Sequence, residues 1–234
     1  MKKTFTLIIC ISISIFSYSQ KEVTLEDIWQ NYKFYPSGVP GFKSMNDGEH
    51  YTTTEKNDDG IKIHWRSFET RVSGDIDWGH SHGIILSSDD ERLSKMSSYQ
   101  FNLMEDKILI ATNTESIYRH SSKSVYYIYN TKTKTIKNLS DNKVMHATFS
   151  PDGTHISYVF ENNLYVYNLN WNKTTQITSD GEKNKIINGA SDWVYEEEFA
   201  LVRSFEWSGD SKTIAYYRFD ESDVKEFSMD LFKG

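Results

Sequence analysis

One phrase recurs along this chain and limits what it can fold into: a polar turn containing aspartate, followed at once by an alternating apolar strand. "SPDGTHISYVF" (150–160) places a turn at Pro151-Asp152-Gly153 before Ile156, Ser157 and Tyr158. "SGDSKTIAYYRF" (208–219) repeats the design, with Ile214, Ala215 and Tyr216 in those places. "MNDGEHYTTTE" (45–55) is a weaker copy and "MEDKILIAT" (104–112) a shortened one. The aspartates at 47, 106, 152 and 210 serve as markers of the repeat.

Between the turns lie further strand candidates: "SVYYIYN" (124–130), "TKTIKNLS" (133–140), "NNLYVYNLN" (162–170) and "KTTQITS" (173–179). Alternation, β-branching and polar flanks mark them as strands. The supply of 15 tyrosines and 13 phenylalanines suits strands better than helices. Turn, strand, hairpin, strand at intervals of roughly 40–60 residues is the pattern of a β-propeller blade. A blade buries both faces only by packing on its neighbours. A β-sandwich fits the strand spacing but not the repeated turn phrase. The expected fold is therefore all-β, an incomplete β-propeller of about four blades. "FSMDLFKG" (227–234) follows the fourth turn without a closing strand, so a truncated array is expected.

Two short helical segments interrupt this pattern. Thr24 caps a helix that begins "TLEDI", with Asp27 three residues on and Val23 and Ile28 as an apolar staple. Tyr35-Pro36-Ser37-Gly38 ends that region. A second helical turn is expected at "DWVYEEEF" (192–199).

The first 19 residues read as a secretory signal: Lys2 and Lys3, the apolar run Phe5 to Phe16, then Ser17-Tyr18-Ser19. The apolar run is too short to span a bilayer, and the mature chain is expected from Gln20. The expected location is exported, periplasmic or secreted, with no membrane attachment after cleavage. The single cysteine, Cys10, falls inside the signal. Loss of Lys2 and Lys3 takes the net charge from −7 to −9. An acidic exported chain is a poor nucleic-acid binder.

Three motifs carry possible chemistry. "GHSHG" (79–83) matches the G-x-S-x-G elbow of α/β-hydrolases, which needs a buried strand before it and a helix after it. Here a polar stretch precedes it and the strand-like Ile84-Ile85-Leu86 follows, so Ser81 reads as part of a turn, not a nucleophile. His80 and His82 are two apart, not the i, i+4 spacing of a helical metal pair, and no metal or cofactor is expected. "YRHSS" (118–122) sets Arg119 in a connection between strands, where a guanidinium can donate several hydrogen bonds to a carbonyl or carboxylate. A loop arginine is also commonly just solvated.

In "DWVYEEEF" three glutamates sit among aromatics. On a helical turn they fan out by about 100° each, so at most two converge. Converging carboxylates repel unless a cation lies between them. A substrate's terminal ammonium is such a cation, and Trp193 and Tyr195 lower the local dielectric around it. A solvated acidic run is the plain alternative, and the pattern alone leaves the two readings open.

These residues resemble the dipeptidyl peptidase IV family. "DWVYEEEF" resembles its Glu motif, "YRHSS" its Arg-containing loop, and "RFDESDV" (218–224) with "FSMDLF" (227–232) the stretch after the Glu motif. "WGHSH" (78–82) falls where family propellers carry similar early residues. The resemblance covers essentially the whole mature chain, 20–234. It implies an eight-bladed propeller followed by an α/β-hydrolase domain with a Ser-Asp-His triad, acting on peptides with Pro or Ala second from the amino end. It also implies that Glu197 and Glu198 hold the free N-terminus of a peptide substrate. Arg119 then reaches the carbonyl of the second substrate residue. Homodimerisation of the full-length family is a further implication. This sequence contains no catalytic triad, so it is expected to lack hydrolysis on its own. Two alternatives stay open: a prolyl tripeptidyl peptidase of the same architecture, and a non-enzymatic propeller module that binds peptides or proteins.

Overall fold

A computed structural model of the chain describes residues 23–36, 41–57, 60–68 and 82–226. The signal-like residues, most of "GHSHG" and the stretch 227–234 lie outside them. The chain divides into two units, Met1–Pro40 and Gly41–Gly234. In the first, helix α1 (Leu25–Trp29) begins as the sequence predicts. The Thr24 hydroxyl accepts a hydrogen bond from the Asp27 N–H at 3.1 Å. Asp27 is also paired with Lys33. Val23 and Ile28 both lie exposed, so the expected apolar staple does not form a buried pair.

The second unit is built from antiparallel strands in chain order. Strands β1 (Lys43–Ser44), β2 (His50–Asn57), β3 (Gly60–Ser67) and β4 (His82–Ser88) make one four-stranded sheet. Strands β5 (Met96–Phe101), β6 (Lys107–Ser116), β7 (Ser122–Asn130) and β8 (Ile136–Asn138) make the next blade. Strands β9 (Val144–Phe149), β10 (His155–Phe160), β11 (Asn163–Asn168) and β12 (Lys173–Gln176) make a third. A fourth begins with β14 (Phe205–Trp207) paired to β15 (Ile214–Tyr216), while β13 (Ile186–Asn188) pairs with β16 (Arg218–Asp220). This is an incomplete β-propeller: among the described residues the blades do not close into a ring.

Alternation along each strand explains how neighbouring blades share cores. Ile108 and Ile110 of β6 pack with Ile61, Ile63 and Leu86 of the first blade. Leu109, between them, faces the opposite way and packs with Val144, Phe149 and Ile156 of the third blade. Val159 and Leu164 of the third blade then meet Ala190 and Phe205. The second and third blades thus each bury one face on their predecessor and the other on their successor, which is the blade logic expected from a period of two.

The repeated turn has one hydrogen-bond plan. Met45, Asn102, Ser150 and Ser208 each donate an N–H to the carbonyl five residues on, at 2.8–3.1 Å. Three residues into each turn stands a left-handed residue: Gly48, Glu105, Gly153 or Ser211. In this frame Asp47, Asp152 and Asp210 are equivalent, and each carboxylate accepts backbone N–H groups within its own turn. Asp106 is not part of the series. The position equivalent to the three aspartates is Met104, which has no carboxylate; the Asn102 side chain accepts from the Lys107 N–H at 2.9 Å, as the Ser150 and Ser208 hydroxyls accept from the His155 and Thr213 N–H groups. Adjacent turns also touch: the Asn46 N–H donates to Glu105, and the Asp152 N–H to the Ser211 hydroxyl.

The single strand expected through 214–219 is broken at Tyr217. The Tyr217 N–H bonds to the Ser204 carbonyl, and its own carbonyl accepts from Gly189. The chain therefore switches partner from β14 to β13 at that residue.

Candidate functional site

Two excursions from the blades meet. The first is the β6–β7 hairpin, which is longer than its blade requires. Its register shifts between Thr112 and Glu115. Beyond that shift β7 pairs on its other edge with β9, through Lys123↔Met145 and Ser124↔Val144. That pairing joins two blades into one eight-stranded sheet and leans the hairpin toward the third blade. Lys123 and Lys143 both pair with Glu115 near the bend, at 3.3 and 3.1 Å. Residues 117–121 form the tip, closed by the Ile117 N–H bonding to the Ser121 carbonyl at 2.9 Å.

The second excursion leaves β13. Gly189 has φ +77, and a Cβ there would come within 3.2 Å of Val159 and 3.3 Å of Phe205, so only glycine fits without displacement. The Ala190↔Arg203 bridge and the Ser191 N–H to Val202 carbonyl bond form a stem. Within it lies helix α2 (Trp193–Phe199). Asp192 caps its start by accepting from the Tyr195 N–H at 2.8 Å. Ala200, left-handed at φ 53, ends it: the Ala200 N–H bonds to the Glu196 carbonyl and the Leu201 N–H to that of Tyr195. The bond from the left-handed residue's N–H to the carbonyl four residues back is that of an αL stop, made here without glycine.

On this helix the three glutamates take three environments, as a 100° fan requires. Glu196 points inward and is 1% exposed. One of its oxygens accepts from the backbone N–H groups of His120 and Ser121, at 2.7 and 2.8 Å. Burial works to raise its pKa, but the bonds from Ser121 and His120 outweigh it and hold the carboxyl below its ordinary value. Glu197 meets Arg119: Nε to Oε2 is 3.4 Å, with the Glu197 side chain 15% and the Arg119 side chain 74% exposed. Glu198 is exposed and, among the described residues, makes no hydrogen bond or ion pair. The structure thus brings together two of the three residues singled out in the sequence, Arg119 and Glu197. The third, Glu198, is one helical step away.

The aromatics do not enclose the glutamates. Trp193 and Tyr195 are 55% and 42% exposed. Tyr195 packs instead on Phe199 and Phe219, at 5.5 and 4.9 Å between ring centroids. A cleft of about 560 Å3 lies beside the helix, bordered by Tyr118, Ser121, Trp193 and Glu196.

Two features had no sequence signal. Glu196 stands outside the pair that the resemblance assigns to the substrate, as a structural flank, but nothing in "EEE" shows that it turns inward onto the tip of the β6–β7 hairpin. His146 marks a bulge in β9, where the register with β10 shifts between Ser157 and Val159. Its φ of 57 is a left-handed conformation normally taken by glycine or asparagine at such a position. Burial, then the Arg203 charge, push its imidazole down to about 4, against the pull of Glu196. His146 is therefore neutral at pH 7.

Ser81 lies outside the described residues, but β4 begins at His82, so a strand and not a helix follows it. The structural context of a nucleophile elbow is absent on that side.

A model of the dipeptidyl peptidase IV N-terminal region matches residues 104–234. The chain is 37% identical over 131 residues to a probable dipeptidyl-aminopeptidase B of Chaetomium globosum, a match covering 54% of this chain and 14% of that protein. It is 28% identical over 209 residues to prolyl endopeptidase FAP of Mus musculus, covering 88% of this chain and 26% of that protein. The crystal structure of Porphyromonas gingivalis dipeptidyl peptidase 4 superposes with a TM-score of 0.77 at 33% identity, over 92% of this chain and 30% of that one. The chain spans less than a third of the length of each of these proteins.

Proposed function

Because this chain belongs to the dipeptidyl peptidase IV family, as part of its N-terminal region, we propose that it is the substrate-recognition part of a secreted serine dipeptidyl peptidase releasing N-terminal Xaa-Pro or Xaa-Ala dipeptides. Glu197 and Glu198 take the α-ammonium of the peptide, and Arg119 donates to the carbonyl of the second residue. Bond cleavage falls to a hydrolase domain of the longer protein. Cleavage of the signal after Ser19 delivers the mature chain outside the cytoplasm, which N-terminal sequencing of the exported protein would check.

The observation that carries this reading is the Arg119–Glu197 pair, 3.4 Å apart and drawn from segments on different blades. A cationic and an anionic group held side by side match the two ends of an N-terminal peptide unit, an ammonium and a carbonyl. Fixing both ends sets the distance from the amino terminus to the scissile bond, and that geometry defines an exopeptidase. With its guanidinium 74% exposed, the pair adds only about 0–1 kcal/mol of stability, so fold stability is a weak reason for placing it there.

The test is kinetic, in the longer enzyme that contains this segment. Glu197→Gln and Glu198→Gln each raise KM and lower kcat/KM for dipeptide-releasing substrates. Unchanged kinetics in both variants would sink the proposal.

A further inference from the structure

Glu196 has no direct part in that recognition scheme, yet it is the buried member of the motif and the one that binds the backbone of the Arg119 loop. Its carboxylate binds two consecutive backbone N–H groups, those of His120 and Ser121. The N–H of His120 belongs to the peptide plane attached to the Arg119 Cα, and that plane is rigid. Binding it, and the next one, fixes the backbone from which the Arg119 side chain projects. Residues 113–120 are otherwise exposed, so little apolar packing is available to hold this tip. Hydrogen bonds to an ionised carboxylate are about twice as strong as neutral ones. The neighbouring residue of the same helix, Glu197, meets the guanidinium itself.

We propose that Glu196 is a positioning residue for Arg119, locking the β6–β7 tip to helix α2 so that the guanidinium stands beside Glu197 at a set distance. This rests on the recognition role proposed for Glu197 and Arg119. Two blades contribute the two halves of the site, and Glu196 is the direct backbone tie between them. It sets spacing and takes no ligand contact of its own.

The test is a double-mutant cycle in the full 234-residue chain, read as affinity for the tripeptide Ala-Pro-Ala by NMR titration. Glu196→Asp keeps the charge but withdraws the carboxylate by one methylene. It weakens binding about tenfold, as does Arg119→Ala, and the double variant binds no more weakly than Arg119→Ala alone, within about twofold. Glu196→Gln keeps an acceptor oxygen and holds affinity to within about threefold. Additive losses in the double variant would overturn the proposal, since Glu196 would then act independently of Arg119. So would a Glu196→Gln loss as large as that of Glu197→Gln, because the charge of Glu196 would then act on the ligand itself and not only on the tip it holds. Unchanged binding in Glu196→Asp beside a loss in Glu197→Gln overturns the positioning role and leaves recognition standing. Unchanged binding in Glu197→Gln removes the recognition scheme and this proposal with it.

If Glu196→Asp does not fold, hydrogen exchange in the unmutated chain decides. Coupling is reciprocal, so a tip that favours the ligand is favoured by it. Saturating tripeptide slows exchange of the His120 and Ser121 amides about tenfold. Exchange that does not change overturns the proposal.

Discussion

In the blades, each apolar side chain finds its neighbours through alternation, and the same rule serves every strand. Ile108 and Ile110 face one core and Leu109 the next. Around α2 the terms are different. One buried carboxylate holds the β6–β7 tip, and His146 and Ala200 are left-handed within a strand and at a helix end, beside the left-handed turn residues such as Glu105 and Ser211 that the blades also carry. Among the described residues, the buried Ser191 and Ser204 hydroxyls and His146 Nε2 have no hydrogen-bond partner. The blades are redundant, whereas the two excursions that meet at α2 depend on single contacts.

That contrast has consequences in order of size. Truncating a shared core is the largest. Ile156 is fully buried, and Ile156→Ala costs about 3 kcal/mol in urea unfolding while leaving tripeptide affinity of the folded fraction unchanged. A matching loss of affinity would mean that blades and site are not separable. Next comes Glu196→Ala, which leaves the His120 and Ser121 N–H groups without their acceptor. Its expected cost is about 2 kcal/mol, together with lost affinity.

His146 supplies a pH dependence. Its imidazole titrates near 6.5 when unfolded and at about 4 in the fold. Between those values the unfolded chain binds a proton that the folded chain does not. Stability is therefore full above pH 6.5 and falls as the pH drops toward 4, by on the order of 2 kcal/mol after allowance for part exposure. His146→Asn tolerates the left-handed backbone and flattens that slope in denaturation at pH 7 and 4.5.

Ala200→Gly relieves the helix stop and raises stability by about 0.5 kcal/mol, offset by the greater freedom of glycine when unfolded. Arg119→Ala is the smallest effect on stability, under about 0.5 kcal/mol for a side chain 74% exposed, beside a clear loss of peptide affinity. Equal melting temperatures with unequal affinities are the outcome that sharpens the contrast.

The blades were legible because alternation and turn chemistry are local. The repeat at Ser150 and Ser208 reads directly from Asp and Gly or Ser in the turn. The second turn misleads because Met104 and Glu105 take the positions of Asp and Gly, while Asp106 stands two residues beyond the equivalent site. The break at Tyr217 is set by partners at Gly189 and Ser204, which no local pattern encodes. At the site, "DWVYEEEF" announces a capped helix, and "YRHSS" a loop with a free guanidinium. Which glutamate turns inward is decided by N–H groups 75 and 76 residues earlier in the chain. The His146 bulge is hidden because its residue type gives no warning of a positive φ.

In the role proposed for this hairpin junction, Glu197 and Glu198 hold the free ammonium of a peptide and Arg119 its second carbonyl. The most direct measurement compares Ala-Pro-Ala with its N-acetylated form, titrated into the full chain at pH 7 and followed by NMR. The free amine is expected to bind and shift the signals of Arg119, His120 and Glu197, and acetylation to weaken binding at least about tenfold. Equal affinity for the two peptides would contradict it.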